Sequence, residues 1–166
     1  MTSDTKPFLA SKAPARPAAP TLLVATLTST AALTVLVGLG VLSGHLLLIP
    51  PMAASMALVA GAPSLPLSQP RHVIGGQVIS AIVGVTVGLV SHSLWAAAIA
   101  GGLALGAMLL TRTSHSPAAA TAVIGAMTPD EQLSFVVCAG LAAVVLVLFG
   151  LIRSTLKRTA YPVYWW

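Results

Sequence analysis

The apolar positions of this chain fall into long unbroken runs rather than into the alternation of a strand or the single stripe of a surface helix. Such runs extend from about Thr21 to Leu42, Val73 to Val90, Leu94 to Leu110 and Leu133 to Ile152. Each approaches the roughly 20 residues needed to cross a hydrocarbon core, so each is predicted to be a full transmembrane helix. Two shorter elements differ from these. Pro51–Pro63 and Pro117–Pro129 each open and close at a proline. Proline suits the first turn of a helix, where its missing N–H would have no partner, so both are predicted to be short helices. His45 to Ala62 reads as a span broken at Pro50-Pro51, and Ser114 to Met127 as a span or a re-entrant segment. The predicted fold is an all-α integral membrane protein with four full transmembrane helices and two short proline-broken or re-entrant helices.

Composition agrees with a bilayer. Hydrophobic residues make up 57% of the chain and charged residues only 7%, too few to clothe a soluble domain. The organisation expected is a disordered cytoplasmic tail over residues 1–19, one transmembrane domain over 20–153, and a basic and aromatic tail over 154–166. The apolar run from Thr21 is longer than a signal-peptide core and no small-residue cleavage site follows it, so it is expected to be retained. In the tail, Tyr161, Tyr164, Trp165 and Trp166 follow Arg153, Lys157 and Arg158, an arrangement suited to anchoring at the headgroup level.

Charge then sets orientation. If both short elements cross and the N-terminus is cytoplasmic, Lys6, Lys12, Arg16, Arg71, Arg112, Arg153, Lys157 and Arg158 all lie inside, while Asp130 and Glu131 lie outside. This satisfies the positive-inside rule and predicts a multi-pass protein of the cell membrane (inner or plasma) with both termini cytoplasmic. Six segments also divide into two sets of three of opposite orientation, the inverted-repeat plan of many secondary transporters. Five of thirteen positions match between the two short elements, and Ser55 stands against Thr121. Glycines at four-residue spacing, Gly40 with Gly44, Gly84 with Gly88 and Gly102 with Gly106, predict close helix packing, within one subunit or between copies in a homo-oligomer.

The polar residues that remain indicate the sign of a ligand. No Asp or Glu occurs in any apolar segment, so the carboxylates that bind cations in many transporters are missing. Ser55, Gln69, Arg71, His72, Gln77, Arg112, Ser116, Thr121 and His115 are donors, hydroxyls or positive groups, a set suited to a small anion. The expected seats are the free N–H groups at the starts of the two short helices, near mid-membrane. Arg71 and Arg112 read either as topology-setting charges or as entrance charges. His115 precedes Pro117 by two residues, beside the positive end of the second short helix, and is read as neutral until an anion or proton arrives. His45 and His92 are expected to be solvated in short turns.

Other chemistry finds little support. No histidines share metal-ligand spacing, the single Cys138 has no partner, and no carboxylate exists in the spans to orient His115 as a catalytic base. No enzyme activity, cofactor, metal or nucleic-acid partner is expected. The partners expected are the lipid bilayer and a small inorganic anion. A non-transporting scaffold or sensor subunit is the alternative.

Two stretches carry a family resemblance. One is Met108-Leu-Leu-Thr-Arg112-Thr-Ser-His115-Ser116-Pro117-Ala-Ala-Ala-Thr121-Ala122, and the other is Gly61-Ala-Pro63-Ser-Leu-Pro66-Leu-Ser-Gln69-Pro70-Arg71-His-Val-Ile-Gly75-Gly76. With Ile49-Pro50-Pro51 they resemble the HPP family of small integral membrane proteins over most of residues 21 to 152. Ser116 departs from the pattern, standing where the family has its first proline. The family's hallmark is His-Pro-Pro, and its members look like nitrite transporters of plastids and cyanobacteria. The resemblance therefore implies a carrier or channel for nitrite or a similar monovalent anion, and a count of four spans.

Overall fold

The computed structural model describes residues 15–157 and 160–166, and these are helical apart from turns and a docked terminal segment. The charges and tail residues expected at 1–14 and 158–159 lie outside the described residues. Six α-helices follow one another: α1 (Ala19–Ser43), α2 (Pro50–Gly61), α3 (Pro70–Gly88), α4 (Leu94–Leu110), α5 (Ser116–Met127) and α6 (Gln132–Lys157), with a 3₁₀ turn at Pro66–Ser68. Prolines occupy the first turn of α1, α2, α3 and α5, as their fixed φ favours. At α4 the Ser93 hydroxyl instead caps the Ala96 N–H at 3.2 Å.

Three of these helices, α1, α3 and α6, are long and apolar enough to cross a membrane. The fourth predicted full span, α4, is not confirmed as one. Its 17 residues rise about 26 Å, short of a core of roughly 30 Å. The outer surfaces explain why the chain needs lipid. Along α1 only Thr28, Ala32 and Leu36 are buried, while Leu23, Leu27, Val41 and Leu42 stand exposed. On α6 the exposed residues include Leu133, Leu141, Leu148 and Ile152. An apolar exterior of this extent is stable only against acyl chains.

The packing repeats itself. In the first half α1 packs on α2, and in the second α4 packs on α5. Across the halves α1 and α2 both pack on α6, just as α4 and α5 both pack on α3, while α3 meets α6 and α2 meets α5 at the centre. Exchanging α1 with α4, α2 with α5 and α3 with α6 maps these principal pairs onto themselves. The two short helices predicted from their prolines are thus equivalent elements of 12 residues each.

The closest approach is between α3 and α5. A Cβ on Gly84 would lie 2.8 Å from the Ala122 Cα, so glycine there lets the two backbones touch. Of the three glycine pairs predicted to pack, Gly84 and Gly88 do so, both against α5. Gly102 and Gly106 have nothing within 4 Å, and Gly44 serves instead as the left-handed residue (φ 74°) that ends α1.

His115, which precedes α5, meets Ser55, the sixth residue of α2. At the other end Ile49, which precedes α2, shares a cavity with Ile124 and Thr128 at the end of α5. The helices therefore run antiparallel.

Candidate functional site

Four polar side chains drawn from three helices and a turn meet where α2, α3 and α5 converge. Ser55, Gln77, His115 and Thr121 are each fully buried. His115 is anchored by its Nδ1, 2.7 Å from the Leu67 carbonyl. A carbonyl only accepts, so Nδ1 carries a hydrogen, and in the neutral ring Nε2 is the acceptor. Ser55 Oγ lies 2.8 Å from that Nε2 and 2.8 Å from Pro51 O, so its one hydrogen is shared between ring and carbonyl. Gln77 Nε2 donates to Ser55 Oγ at 2.9 Å, and Gln77 Oε1 accepts from the Thr121 hydroxyl. The result is a chain of hydrogen bonds running from Thr121 through Gln77 and Ser55 to His115 and ending on the Leu67 carbonyl.

Local sequence explains the placement. Gly76 on α3 faces His115, and a Cβ there would come 2.7 Å from the His115 Cβ, so the glycine makes room for the ring. Gln77 follows it and so reaches inward between α2 and α5. Ser80, one turn further along α3, is also fully buried, and its hydroxyl has no partner. A buried hydroxyl without a bond is costly, which makes Ser80 the free donor nearest in sequence to this chain.

The seven site residues predicted from sequence separate into groups. Ser55, Thr121 and His115 come together, but through Gln77, which reads from sequence only as a polar residue in an apolar run. Gln69 does not join them. Its amide donates to Pro63 O (2.8 Å) and Leu65 O (2.9 Å) and its Oε1 accepts from Val163 N (2.8 Å), so it is consumed in holding a turn. Ser116 is exposed.

The helix starts offer fewer donors than expected. In α2 the first two residues are prolines, and the Met52 N–H donates to Ile49 O at 2.9 Å. In α5 Pro117 has no N–H and Ala118 donates to His115 O at 2.9 Å. The Ser116 N–H makes none of these first-turn bonds, and a proline at that position would have no N–H to offer.

Arg71 and Arg112 lie together in a separate cavity of about 430 Å³, whose walls include His72, Ser114, Tyr164 and Trp166. Arg71 donates from Nε to Arg112 O and from Nη2 to Thr111 O, both at 3.1 Å, and the Trp166 ring covers its guanidinium at 4.7 Å. His72 Nδ1 lies 2.8 Å from Ser114 O, and its Nε2 lies 3.1 Å from the Tyr164 hydroxyl. The aromatic segment expected as a headgroup anchor is thus docked on the protein. Tyr161 is buried, its hydroxyl donating to Ser68 O at 3.0 Å, and burial pushes its phenol well above the usual range so that it remains a donor.

His45 and His92 are exposed, as expected, and each also contacts a backbone carbonyl. His92 Nδ1 lies 2.8 Å from Ala126 O, tying the α3–α4 turn to the end of α5, and His45 Nδ1 lies 2.8 Å from Ser43 O. The acids Asp130 and Glu131 line a different cavity, with His45 and Thr128.

Comparisons with known proteins bear on the same residues. The chain matches the transmembrane region of the HPP family over residues 14–162. It is 35% identical over 124 residues to one transmembrane protein of Dictyostelium discoideum and 33% identical over 129 residues to another. These alignments cover 69% and 72% of this chain but 40% and 45% of the relatives, so the chain spans less than half the length of the curated relatives it matches. No solved structure matches. The match runs through both stretches that build the buried polar chain and the paired-arginine cavity, and this protein belongs to the HPP family of integral membrane proteins.

Proposed function

We propose that the protein carries a small monovalent inorganic anion, nitrite first among them, across the membrane. The observation that carries this reading is the buried chain of His115, Ser55, Gln77 and Thr121. Polar groups inside a membrane domain are expensive and mark ligand pathways by default. Every member here is neutral or a donor, and the acids Asp130 and Glu131 line a cavity elsewhere. A site of that make-up favours an anion over a cation.

In this reading Arg71 and Arg112 draw the anion to the cytoplasmic mouth, and Ser80, with its free hydroxyl, receives it beside the polar chain. Backbone N–H groups contribute little, since prolines and first-turn bonds remove most of them. The pairing symmetry of the helices, together with the inside placement that the positive-inside rule predicts for the basic loops, supports an inverted three-plus-three repeat. Alternating access by rocking one half against the other would follow from it.

One observation favours a second reading. The chain ends on backbone carbonyls, Pro51 O at Ser55 and Leu67 O at His115, as a purely structural network would. A scaffold or sensor subunit would need nothing more. Purified protein in proteoliposomes separates the two when nitrite, nitrate, formate and chloride fluxes are measured at two pH values. Transport predicts nitrite flux above protein-free vesicles that falls when His115→Ala and Arg112→Ala are combined. A scaffold predicts no flux of any of the four.

A further inference from the structure

The cavity holding Arg71 and Arg112 is large and positively charged. Its volume of about 430 Å³ equals roughly fourteen waters, far more than a triatomic anion fills. Neither acid of the described residues lines it. Two guanidiniums sharing one cavity whose lining holds no Asp or Glu side chain call for an anionic occupant.

The two arginines are also presented differently. Arg71 is immobilised by two carbonyls and a tryptophan face, which presets the direction of its remaining N–H groups. Arg112 makes no hydrogen bond or ion pair through its side chain among the described residues. It sits at φ 57°, past the end of α4, where the Thr113 N–H closes the turn on Met108 O at 2.9 Å. Glycine is the ordinary residue there, and the corresponding turn after α1 uses Gly44 at φ 74°. The turn itself does not ask for arginine, so the side chain accounts for its presence. The remaining wall combines a hydroxyl donor, Ser114, with the apolar Leu109 and the Trp166 ring. Leu109 is 59% exposed and its neighbour Leu110 87%, so the cavity opens beside surface that lipid would cover.

We propose that this cavity binds a net-anionic phosphate group, carried by a membrane phospholipid or free in solution. The two guanidiniums take the phosphate oxygens, and the carbon portion of a phosphate ester lies along Leu109 and Trp166. Residues 160–166 complete the site by supplying Tyr164 and Trp166, so the docked segment is a wall of it.

The test uses the full chain in detergent with Trp95→Phe and Trp165→Phe, leaving Trp166 as the emitting tryptophan. Inorganic phosphate and dihexanoyl phosphatidylglycerol are titrated separately, with zwitterionic dihexanoyl phosphatidylcholine as control. The expected result is a saturable change in Trp166 emission, with phosphatidylglycerol if the source is lipid or with inorganic phosphate if it is soluble. Phosphatidylcholine should give none. Arg112→Gly, which keeps the left-handed turn, should weaken the affinity about tenfold or more, as loss of a charge-assisted contact does. No saturable change with either anionic probe, an equal response to phosphatidylcholine, or unchanged affinity in Arg112→Gly would each overturn the proposal. Flux is not read in this experiment, so its outcome is independent of the transport reading.

Discussion

Ser55 and Thr121 occupy the same position in two equivalent helices, the sixth residue of α2 and of α5, and both are bonded to the one side-chain amide of Gln77. Gln77 gives its N–H to one hydroxyl and its carbonyl to the other. A single residue of α3 thereby links hydroxyls from both halves of the molecule. Gln77→Leu removes both bonds and strands Ser55 and Thr121 in a buried site, a cost of about 2 kcal/mol or more. Thermal unfolding in detergent should show this loss.

Close helix approach gives a second prediction with an internal control. Gly84→Ala drives a methyl into the Ala122 backbone and should destabilise by about 1–3 kcal/mol. Gly102→Ala meets open space and should be neutral or slightly stabilising, since alanine is the better helix former. Equal effects of the two substitutions in detergent unfolding would contradict the α3–α5 packing.

The docked segment can be tested at Tyr161. Tyr161→Phe removes only the bond to Ser68 O and should cost about 1 kcal/mol. Tyr161→Ala also empties the space against Gly150 and Val59, a cost of about 3 kcal/mol or more. Limited proteolysis should cut the segment after α6 faster in Tyr161→Ala than in Tyr161→Phe, and faster in either than in the unaltered chain.

Much of this architecture is legible in the chain because the bilayer imposes length and apolarity on every span, and because proline marks helix starts. Both short helices could be bounded to within a residue or two from Pro51 and Pro117 alone. Gln77 could not be recognised as the hub, since a lone glutamine in an apolar run carries no sign of its partners 22 and 44 positions away. The docking of Tyr161, Val163 and Tyr164 was hidden for the same reason. Their partners Ser68, Gln69 and His72 lie more than 90 positions earlier, so the cluster reads as a membrane anchor. The N–H seats were overestimated because sequence does not reveal that Met52 and Ala118 turn their N–H groups back onto the preceding carbonyls.

Arg112 predicts a trade between stability and binding. Its left-handed backbone costs roughly 1 kcal/mol that glycine does not incur. Arg112→Gly should therefore raise the unfolding free energy in detergent by about that amount while lowering anion uptake. A variant that is both less stable and equally active would show that the arginine serves the turn and not the cavity.

The central claim is that anions cross by way of the buried polar chain. Initial nitrite uptake into proteoliposomes, measured side by side for the unaltered chain, His115→Ala and Thr121→Val at matched protein content, tests it most directly. Uptake above protein-free vesicles that falls about tenfold in both variants is the predicted result. Uptake no greater than in protein-free vesicles, or undiminished in both variants, would contradict it.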